Sequence, residues 1–375
     1  MELKTLKISN FRNIRQGEFI FSPAVNIFSG SNAQGKTNLA EALTVALDKS
    51  FRKSTPQQLQ RFGSDEPLSL ELSFTCDKFP QKENLLKTSL KNQRVYSEIN
   101  GIAAKSAKEL YTGLKYVLFI PEDLYLIKGN PEQRRDYIDG VADSMNQIHH
   151  AHLNSYSKAL KQKNTFLSRL EGDLTQSVKT QLEIWNEQLA KLGVNVMCGR
   201  LKYFDTLSKI AAEYYNELSN GGEKLTMSYN STITENYAEK SAEEILQTYI
   251  EKLEIYRDRE AAARHTLVGV HRDDVSFYLD GKNAREFASQ GQIRSIALSL
   301  RLAQAKMLTE RHSERPVIIL DDVLSELDGF RRSFVLNHIV NYQLFITGCN
   351  INDFVEIKNG KNWQVKEGNF TEICS

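Results

Sequence analysis

The sequence predicts an α/β protein whose two ends meet in one layered domain around a mostly helical insertion. Three observations predict it. From residue 1 to about 130 the chain alternates short strand-like runs with few helices. From 131 to 260 it runs in long stretches poor in Gly and Pro, with apolar residues at helical spacing. From 261 to 375 short apolar runs alternate again with helical patterns.

The elements follow in order. Leu3 to Ile8 and Val25 to Ser29 read as strands bounded by turn residues. A glycine-containing stretch follows, then a helix rich in Ala and Leu up to about Lys49. Leu68, Leu70, Leu72, Phe74 and Cys76 alternate strictly, so this segment is a strand with one buried face. Leu85 to Leu90 and Arg94 to Ile99 are its expected partners, and Asn100-Gly101 marks a turn. In the insertion, Leu160, Phe166, Leu167 and Leu170 keep helical spacing, as do Leu182, Trp185, Leu189 and Leu192. Leu225 to Tyr229 is a strand-like exception, and Gly193 and Gly199 interrupt the helical pattern. The heptads are not sustained, so a short antiparallel helical arm is expected rather than a long coiled coil. The last third holds a strand at Val275–Leu279, a helix at Gln292–Glu310 and a buried strand at Val317–Leu320. A helix at Phe330–Val340 and a buried strand at Leu344–Thr347 follow.

Composition removes several function classes. The 375 residues carry 48 Lys+Arg against 47 Asp+Glu, a net charge of +1. A polybasic DNA coat has a large positive excess, and an acidic disordered scaffold lacks the 41% hydrophobic content found here. Apolar runs such as Tyr116–Ile120 and Val317–Leu320 are far shorter than the roughly 18 residues that span a bilayer. The first residues show no apolar stretch or cleavage site of a secretory signal. Cys76, Cys198, Cys349 and Cys374 form no CxxC pair, so neither a zinc site nor a disulfide framework is expected. Free thiols fit a cytoplasmic protein.

The chemistry is concentrated in four short segments. Gly30, Ser31, Asn32, Ala33, Gln34, Gly35, Lys36 and Thr37 have the Gly-x-x-x-x-Gly-Lys-Thr spacing of a phosphate loop, between a strand and a helix. Small residues let backbone N–H groups curl around phosphates, and the helix N-terminus adds partial positive charge. Lys36 supplies a point charge for the β- and γ-phosphates, and the Thr37 hydroxyl can ligate Mg²⁺. Val317-Ile-Ile-Leu-Asp-Asp322 puts two acids at the carboxyl end of a buried strand, where ligands bind in open α/β sheets. Asp321 is the expected Mg²⁺ acid, and Asp322 the acid that polarises the attacking water. Ser289, Gln290, Gly291 and Gln292 open a helix, with Ser289 as N-cap and Gly291 open to close approach. Ser325-Glu-Leu-Asp328 follows the acid pair as a turn and helix start.

Together these segments resemble the ATP-binding-cassette ATPases of the chromosome-maintenance (SMC-like) branch, and most closely the RecF family of bacterial DNA repair proteins. Asn38 extends the loop match. Asn10-Phe-Arg-Asn13, Lys49-Ser-Phe-Arg52, Pro121-Glu-Asp-Leu124, Gly129 to Arg135, Trp185 and Thr266 to Asp274 resemble the family in order, as do Arg294 and the helix from Leu298 to Ala303. The resemblance implies an ABC/SMC-like P-loop ATPase head, formed by residues 1–130 and 261–375, with residues 131–260 inserted as an arm. It implies ATP and Mg²⁺ as cofactors, and a weak DNA-stimulated ATPase used as a switch. Two heads would pair, with Ser289–Gln292 of one facing the γ-phosphate held by the other and Asp328 crossing the interface. It further implies action at single-strand gaps and stalled forks, with RecR and RecO, in loading RecA, in recombination and in the SOS response. A cytoplasmic, nucleoid-associated place fits that role.

Some positions depart from the pattern. Ala33 stands where the family has Gly, which fits if its φ is negative, and Val270 replaces a Pro before His271. Thr347 is the expected sensor of the γ-phosphate, while no glutamine marks a Q-loop. His271 to Asp274 reads either as a catalytic group or as a salt-bridged turn. His149, His150 and His152 read as a solvated helix face.

Charge distribution suggests where DNA binds. Residues 1–61 hold nine basic and four acidic groups, 9 − 4 = +5. Lys49, Arg52, Lys53 and Arg61 form an acid-free stretch suited to phosphate contacts without base readout. Two other classes compete. A Rad50- or SMC-type structural ATPase wants a longer arm, and a metabolic P-loop kinase or GTPase would not need Ser-Gln-Gly-Gln and would ignore DNA.

Overall fold

The computed structural model describes residues 1–48, 55–91, 94–103, 114–170, 174–349 and 360–373. The chain divides into two compact units, Met1–Asp123 with Leu298–Ser375, and Leu124–Ala297. Residues 124–130 and 261–297, expected from the sequence to join the ends of the chain, fall in the second unit.

The first unit holds two six-stranded sheets among the described residues. One is antiparallel, in the order β2-β1-β4-β5-β6-β7. Its strands are β1 (Glu2–Phe11), β2 (Ile14–Ile20), β4 (Ser69–Cys76), β5 (Phe79–Lys91), β6 (Arg94–Ile99) and β7 (Ile102–Ala103). The other runs β15-β14-β3-β13-β12-β8. It is built from β3 (Val25–Ser29), β8 (Tyr116–Phe119), β12 (Val317–Asp321), β13 (Leu344–Gly348), β14 (Gly360–Lys366) and β15 (Asn369–Ile373). Strands β3, β12 and β13 are buried at every position, as parallel strands covered on both faces must be.

Helix α1 (Lys36–Asp48) packs against strands of both sheets. That placement explains its sequence. Leu39, Ala40, Ala42, Leu43, Val45, Ala46 and Leu47 are buried all round the helix, which fits an element enclosed between two layers. One core joins Leu3, Leu6, Ile8 and Leu72 of the first sheet to Leu43, Ile319 and Phe345. A short helix α2 (Pro56–Leu59) closes the sequence between α1 and β4.

The second unit is mainly helical. It contains α3 (Tyr125–Lys128), α4 (Pro131–Met145), α5 (Ile148–Ser168), α6 (Gln176–Leu218) and α7 (Ala242–Ala263). A three-stranded sheet, β11-β10-β9, uses β9 (Leu225–Asn230), β10 (Asp274–Leu279) and β11 (Lys282–Asn283). Helices α8 (Ala284–Phe287) and α9 (Gln290–His312) follow, the latter divided between the units at Ala297 and Leu298. Helix α10 (Gly329–Ile339) belongs to the first unit.

Gly193 and Gly199 do not break α6, which runs unbroken for 43 residues. They are glycines because neighbours press on them. A Cβ at Gly193 would lie 2.7 Å from the Tyr249 ring, and one at Gly199 would lie 2.3 Å from His149 Nδ1. Tyr156 also approaches Gly193, so residues rising along α5 meet residues falling along α6, and the pair is antiparallel. His149 is therefore not on a solvated face. It is buried, and its Nε2 lies 2.9 Å from Asp139 Oδ1.

His271 proves to be part of a half-buried hydrogen-bonded turn. Its Nδ1 accepts from the Tyr156 hydroxyl at 2.7 Å, and Tyr156 in turn meets the Tyr249 hydroxyl at 3.2 Å. Burial pushes the His271 pKa down to about 4. The unfolded chain takes up this proton near pH 6.5 and the folded chain only near 4. Stability from the neutral ring is thus whole above about pH 6.5 and is lost as pH falls toward 4, by up to about 3 kcal/mol. Asp273, whose pKa burial raises, works in the opposite direction, so a His271→Gln variant isolates the imidazole. Urea unfolding between pH 7 and pH 4.5 should show a flatter slope for that variant. An unchanged slope would remove His271 as the cause.

Candidate functional site

The phosphate-loop segment leaves the buried strand β3 at Ser29 and turns into α1 at Lys36. Two glycines are dictated by their neighbours. A Cβ at Gly30 would sit 2.3 Å from the Val365 carbonyl oxygen. Gly35 has φ +115°, and a Cβ there would sit 2.7 Å from Asn13 Oδ1. The loop is braced from both ends of the chain. Asn13 Nδ2 donates to Gln34 O at 3.1 Å, and Asn38 Nδ2 donates to Asn13 Oδ1 at 2.8 Å. The turn between β14 and β15 donates Gly368 N–H to Gln34 O at 2.8 Å, and Glu367 N–H to Gln34 Oε1 at 2.7 Å. The Cys349 thiol donates to Asn32 Oδ1 at 2.9 Å.

Ala33 has φ +62°, in the left-handed region, so the condition of negative φ under which Ala fits freely is not met. The loop needs that curl, and Ala tolerates it at a cost of about 1 kcal/mol that Gly would avoid. Ala33→Gly should therefore raise, or leave unchanged, the thermal stability of the first unit. A fall in its melting temperature would mean that the methyl group has a contact role.

Lys36 is 5% exposed, and its Nζ donates to Gly30 O at 2.5 Å and to Ser31 O at 2.9 Å. The ammonium is thus held over the loop by carbonyl oxygens that an anion can replace. Thr37 is exposed, and its hydroxyl has no hydrogen bond among the described residues.

Strand order brings the acids to the loop. Strand β13 lies between β3 and β12, so the ends of β3 and β12 are about 10 Å apart. Asp321 is buried at the end of β12. Thr347, at the end of β13, donates its hydroxyl to Asp321 Oδ1 at 2.8 Å and accepts the Asp322 N–H at 3.0 Å. The expected sensor is therefore spent on joining the two acids. Asp322 has φ +57°, and the Ser325 hydroxyl donates to its Oδ1 at 3.0 Å. Asp322 lines one cavity of about 270 Å³ with Asn32, Ala33, Gly35, Lys36, Thr37 and Asn38.

Asp328 caps α10, its Oδ1 accepting the Arg331 N–H at 2.9 Å. That bond, with the Arg331 guanidinium beside it, holds the Asp328 carboxyl below the usual carboxylate range. Arg12 grips the buried Glu41 through two bonds, Nε to Oε2 at 2.9 Å and Nη2 to Oε1 at 2.8 Å. Arg61 lines a separate cavity with Arg12, Gln57, Gln60 and the exposed Phe62. Lys49, Arg52 and Lys53 lie outside the described residues.

In the second unit, Ser289 is the N-cap that its position suggested. Its Oγ accepts the Gln292 N–H at 3.3 Å, and Gln292 Oε1 accepts the Ser289 N–H at 2.7 Å. This reciprocal cap leaves Ser289 and Gln290 exposed, with Gly291 half-buried beside them.

Sequence reasoning gave no role to Asn13 or to the β14–β15 turn. Trp363 and Val365 before Glu367-Gly368, with Phe370 after it, are a hairpin signal that could have revealed the turn.

Comparison with known proteins follows these elements. The family model for the RecF/RecN/SMC N terminal domain matches residues 2–365. The chain is 35% identical to the DNA replication and repair protein RecF of Ligilactobacillus salivarius, across 99% of this chain and 98% of that one. It is 37% identical to the protein of the same name from Lactobacillus acidophilus, across 92% of each. A solved structure of the recombination mediator protein RecF-ATPrS in the RecFOR pathway superposes with a TM-score of 0.90 at 29% identity, covering 99% of this chain and 98% of that one. The Pyrococcus furiosus Smc head domain, at 14% identity and a TM-score of 0.56 over 99% of this chain and 96% of that one, shares the fold.

Proposed function

This chain belongs to the RecF family, with an ABC/SMC-like ATPase fold, and from that premise we propose that it is an ATP-switched DNA-binding protein of replication and repair. The observation that carries the reading is that Lys36, Thr37 and Asp322 line one and the same cavity of about 270 Å³. Those residues fit a nucleoside triphosphate with its metal. The Lys36 ammonium exchanges two carbonyl oxygens for phosphate oxygens, and the backbone from Gly30 to Gly35 surrounds them. Thr37 and Asp321 would hold Mg²⁺, which neutralises phosphate charge. Asp322, fixed by Thr347 and Ser325, orients the water.

Ser289 and Gly291 lie at an exposed helix N-terminus, suited to a phosphate carried by a second copy. Asp328 belongs to the same interface. ATP then acts as a conformational ligand that favours the dimer, and slow hydrolysis releases it. The paired heads clamp DNA through weak, sequence-independent phosphate contacts that include Arg61 and the basic stretch at Lys49, Arg52 and Lys53. In this role the protein works with RecR and RecO at single-strand gaps to load RecA, and no described helix is long and apolar enough to cross a membrane.

The test is binding to duplex, gapped and single-stranded DNA, with ATP or without nucleotide, over a salt series. Retention should require ATP and fall steeply with salt. Equal retention without nucleotide would sink the clamp.

A further inference from the structure

We propose that Glu223 is a positioning residue for the Ser289–Gln292 corner, setting its geometry without touching nucleotide. The inference rests on the reading of that corner as the part that meets a second copy. Helix α6 ends at Leu218, and the chain reverses through Asn220 (φ +52°) and Gly221 (φ +73°). Gly221 N–H donates to Asn216 O at 2.8 Å and Gly222 N–H to Ser219 O at 3.0 Å, closing the turn. The reversal delivers the Glu223 carboxylate between two donors. The hydroxyl of Tyr215, a buried residue of α6, donates to Oε2 at 2.7 Å. The Gln292 side-chain amide donates to Oε1.

Gln292 is then occupied at both ends of its amide, since its Oε1 already accepts the Ser289 N–H. It therefore works as a bolt. Through it, the anchored end of α6 fixes the first turn of α9, and with it the exposed Ser289 and Gln290. A carboxylate suits this place because it only accepts hydrogen bonds, and both neighbours donate. Gln at 223 would keep one acceptor for the Gln292 amide, but it would lose the charge and force the Tyr215 hydroxyl to turn and accept instead of donate.

Nucleotide binding within one copy uses the first unit, so it should not depend on Glu223. Pairing of copies should. In Glu223→Ala, affinity for a fluorescent ATP analogue should stay within about 2-fold of the parent, while ATP-driven dimerisation weakens by about 10-fold. Glu223→Gln keeps the volume and should weaken dimerisation by about 3-fold. Adding Glu223→Ala to Gln292→Ala should cause little further loss of dimerisation, as for two members of one unit. Backbone amide exchange at the first turn of α9 should accelerate in Glu223→Ala even without nucleotide.

Sedimentation with and without ATP reads the dimer. If the parent protein dimerises and both Glu223 variants match it with unchanged exchange, the positioning role is wrong and the ATP-switch reading stands. A parent protein that binds ATP yet stays monomeric overturns both.

Discussion

Lys36→Met is expected to lower ATP affinity by about 100-fold and to abolish ATP-driven dimerisation and DNA retention. The Lys36 ammonium is almost fully buried yet, among the described residues, is held by the carbonyl oxygens of Gly30 and Ser31 alone. Both are neutral acceptors, and a triphosphate offers charged ones, so the exchange favours binding. Met fills much of the same space and takes no phosphate. The loop itself should keep its shape, because its curl is set by Gly30, Gly35, Asn13 and the Glu367–Gly368 turn rather than by Lys36. Titration with a fluorescent ATP analogue and sedimentation with and without ATP check the result. A Lys36→Met protein that still pairs and retains DNA with ATP would refute the assignment of this loop.

Arg200→Met should destabilise the helical unit by about 3–5 kcal/mol. Arg200 is 3% exposed and lies at the centre of a buried polar network. It donates to both oxygens of Asp139, at 2.7 and 2.8 Å, and to Val270 O at 2.8 Å. Its Nη1 also lies 3.7 Å from Asp273, a fully buried carboxylate that accepts from Tyr229 and Thr232. Removing the guanidinium strands these carboxylates in a medium of low dielectric, and that penalty dominates the lost bonds. Arg200→Met with Asp139→Leu should cost less than Arg200→Met alone, because it removes one stranded charge as well. The chain has two tryptophans, Trp185 in the helical unit and Trp363 in the other. In a Trp363→Phe background, Trp185 fluorescence during denaturation should report the loss. A change below about 1 kcal/mol would mean that water replaces the network.

Periodicity or apolar run length made most elements legible, because each buries either one regular face or its whole surface. Strand β4 alternates apolar and polar residues in sequence, although Ser73 and Thr75 are buried as well, and β12 and β13 are short apolar runs, so both types stood out. The loop and acid pair stood out because Gly-x-x-x-x-Gly-Lys-Thr and two acids ending an apolar run are patterns confined to short contiguous segments. What escaped notice depends on contacts distant in sequence. His149 looks polar on its helix, yet its partner Asp139 lies on another one. Gly193 and Gly199 look like interruptions until Tyr249, Tyr156 and His149 are placed against them. Ala33 does not meet the condition of negative φ under which Ala fits without strain, because the closing of the loop by distant residues imposes the left-handed conformation. Glu223 and Gln292, 69 residues apart, carry no signal in either segment alone.

The position of β3 has a consequence for synthesis. Both its neighbours, β13 and β14, are made more than 300 residues later, since 344 − 29 = 315. At about 5–20 residues per second, translation leaves this strand, buried at every position in the folded protein, without its sheet partners for roughly 15–60 s. The helical unit is continuous from Leu124 to Ala297, so it can fold on the ribosome during that wait. The nascent first unit cannot. The pairing of β1 with β2 and β4 needs only residues made by position 76, so it can form early and offer Phe28 of β3 part of its final core.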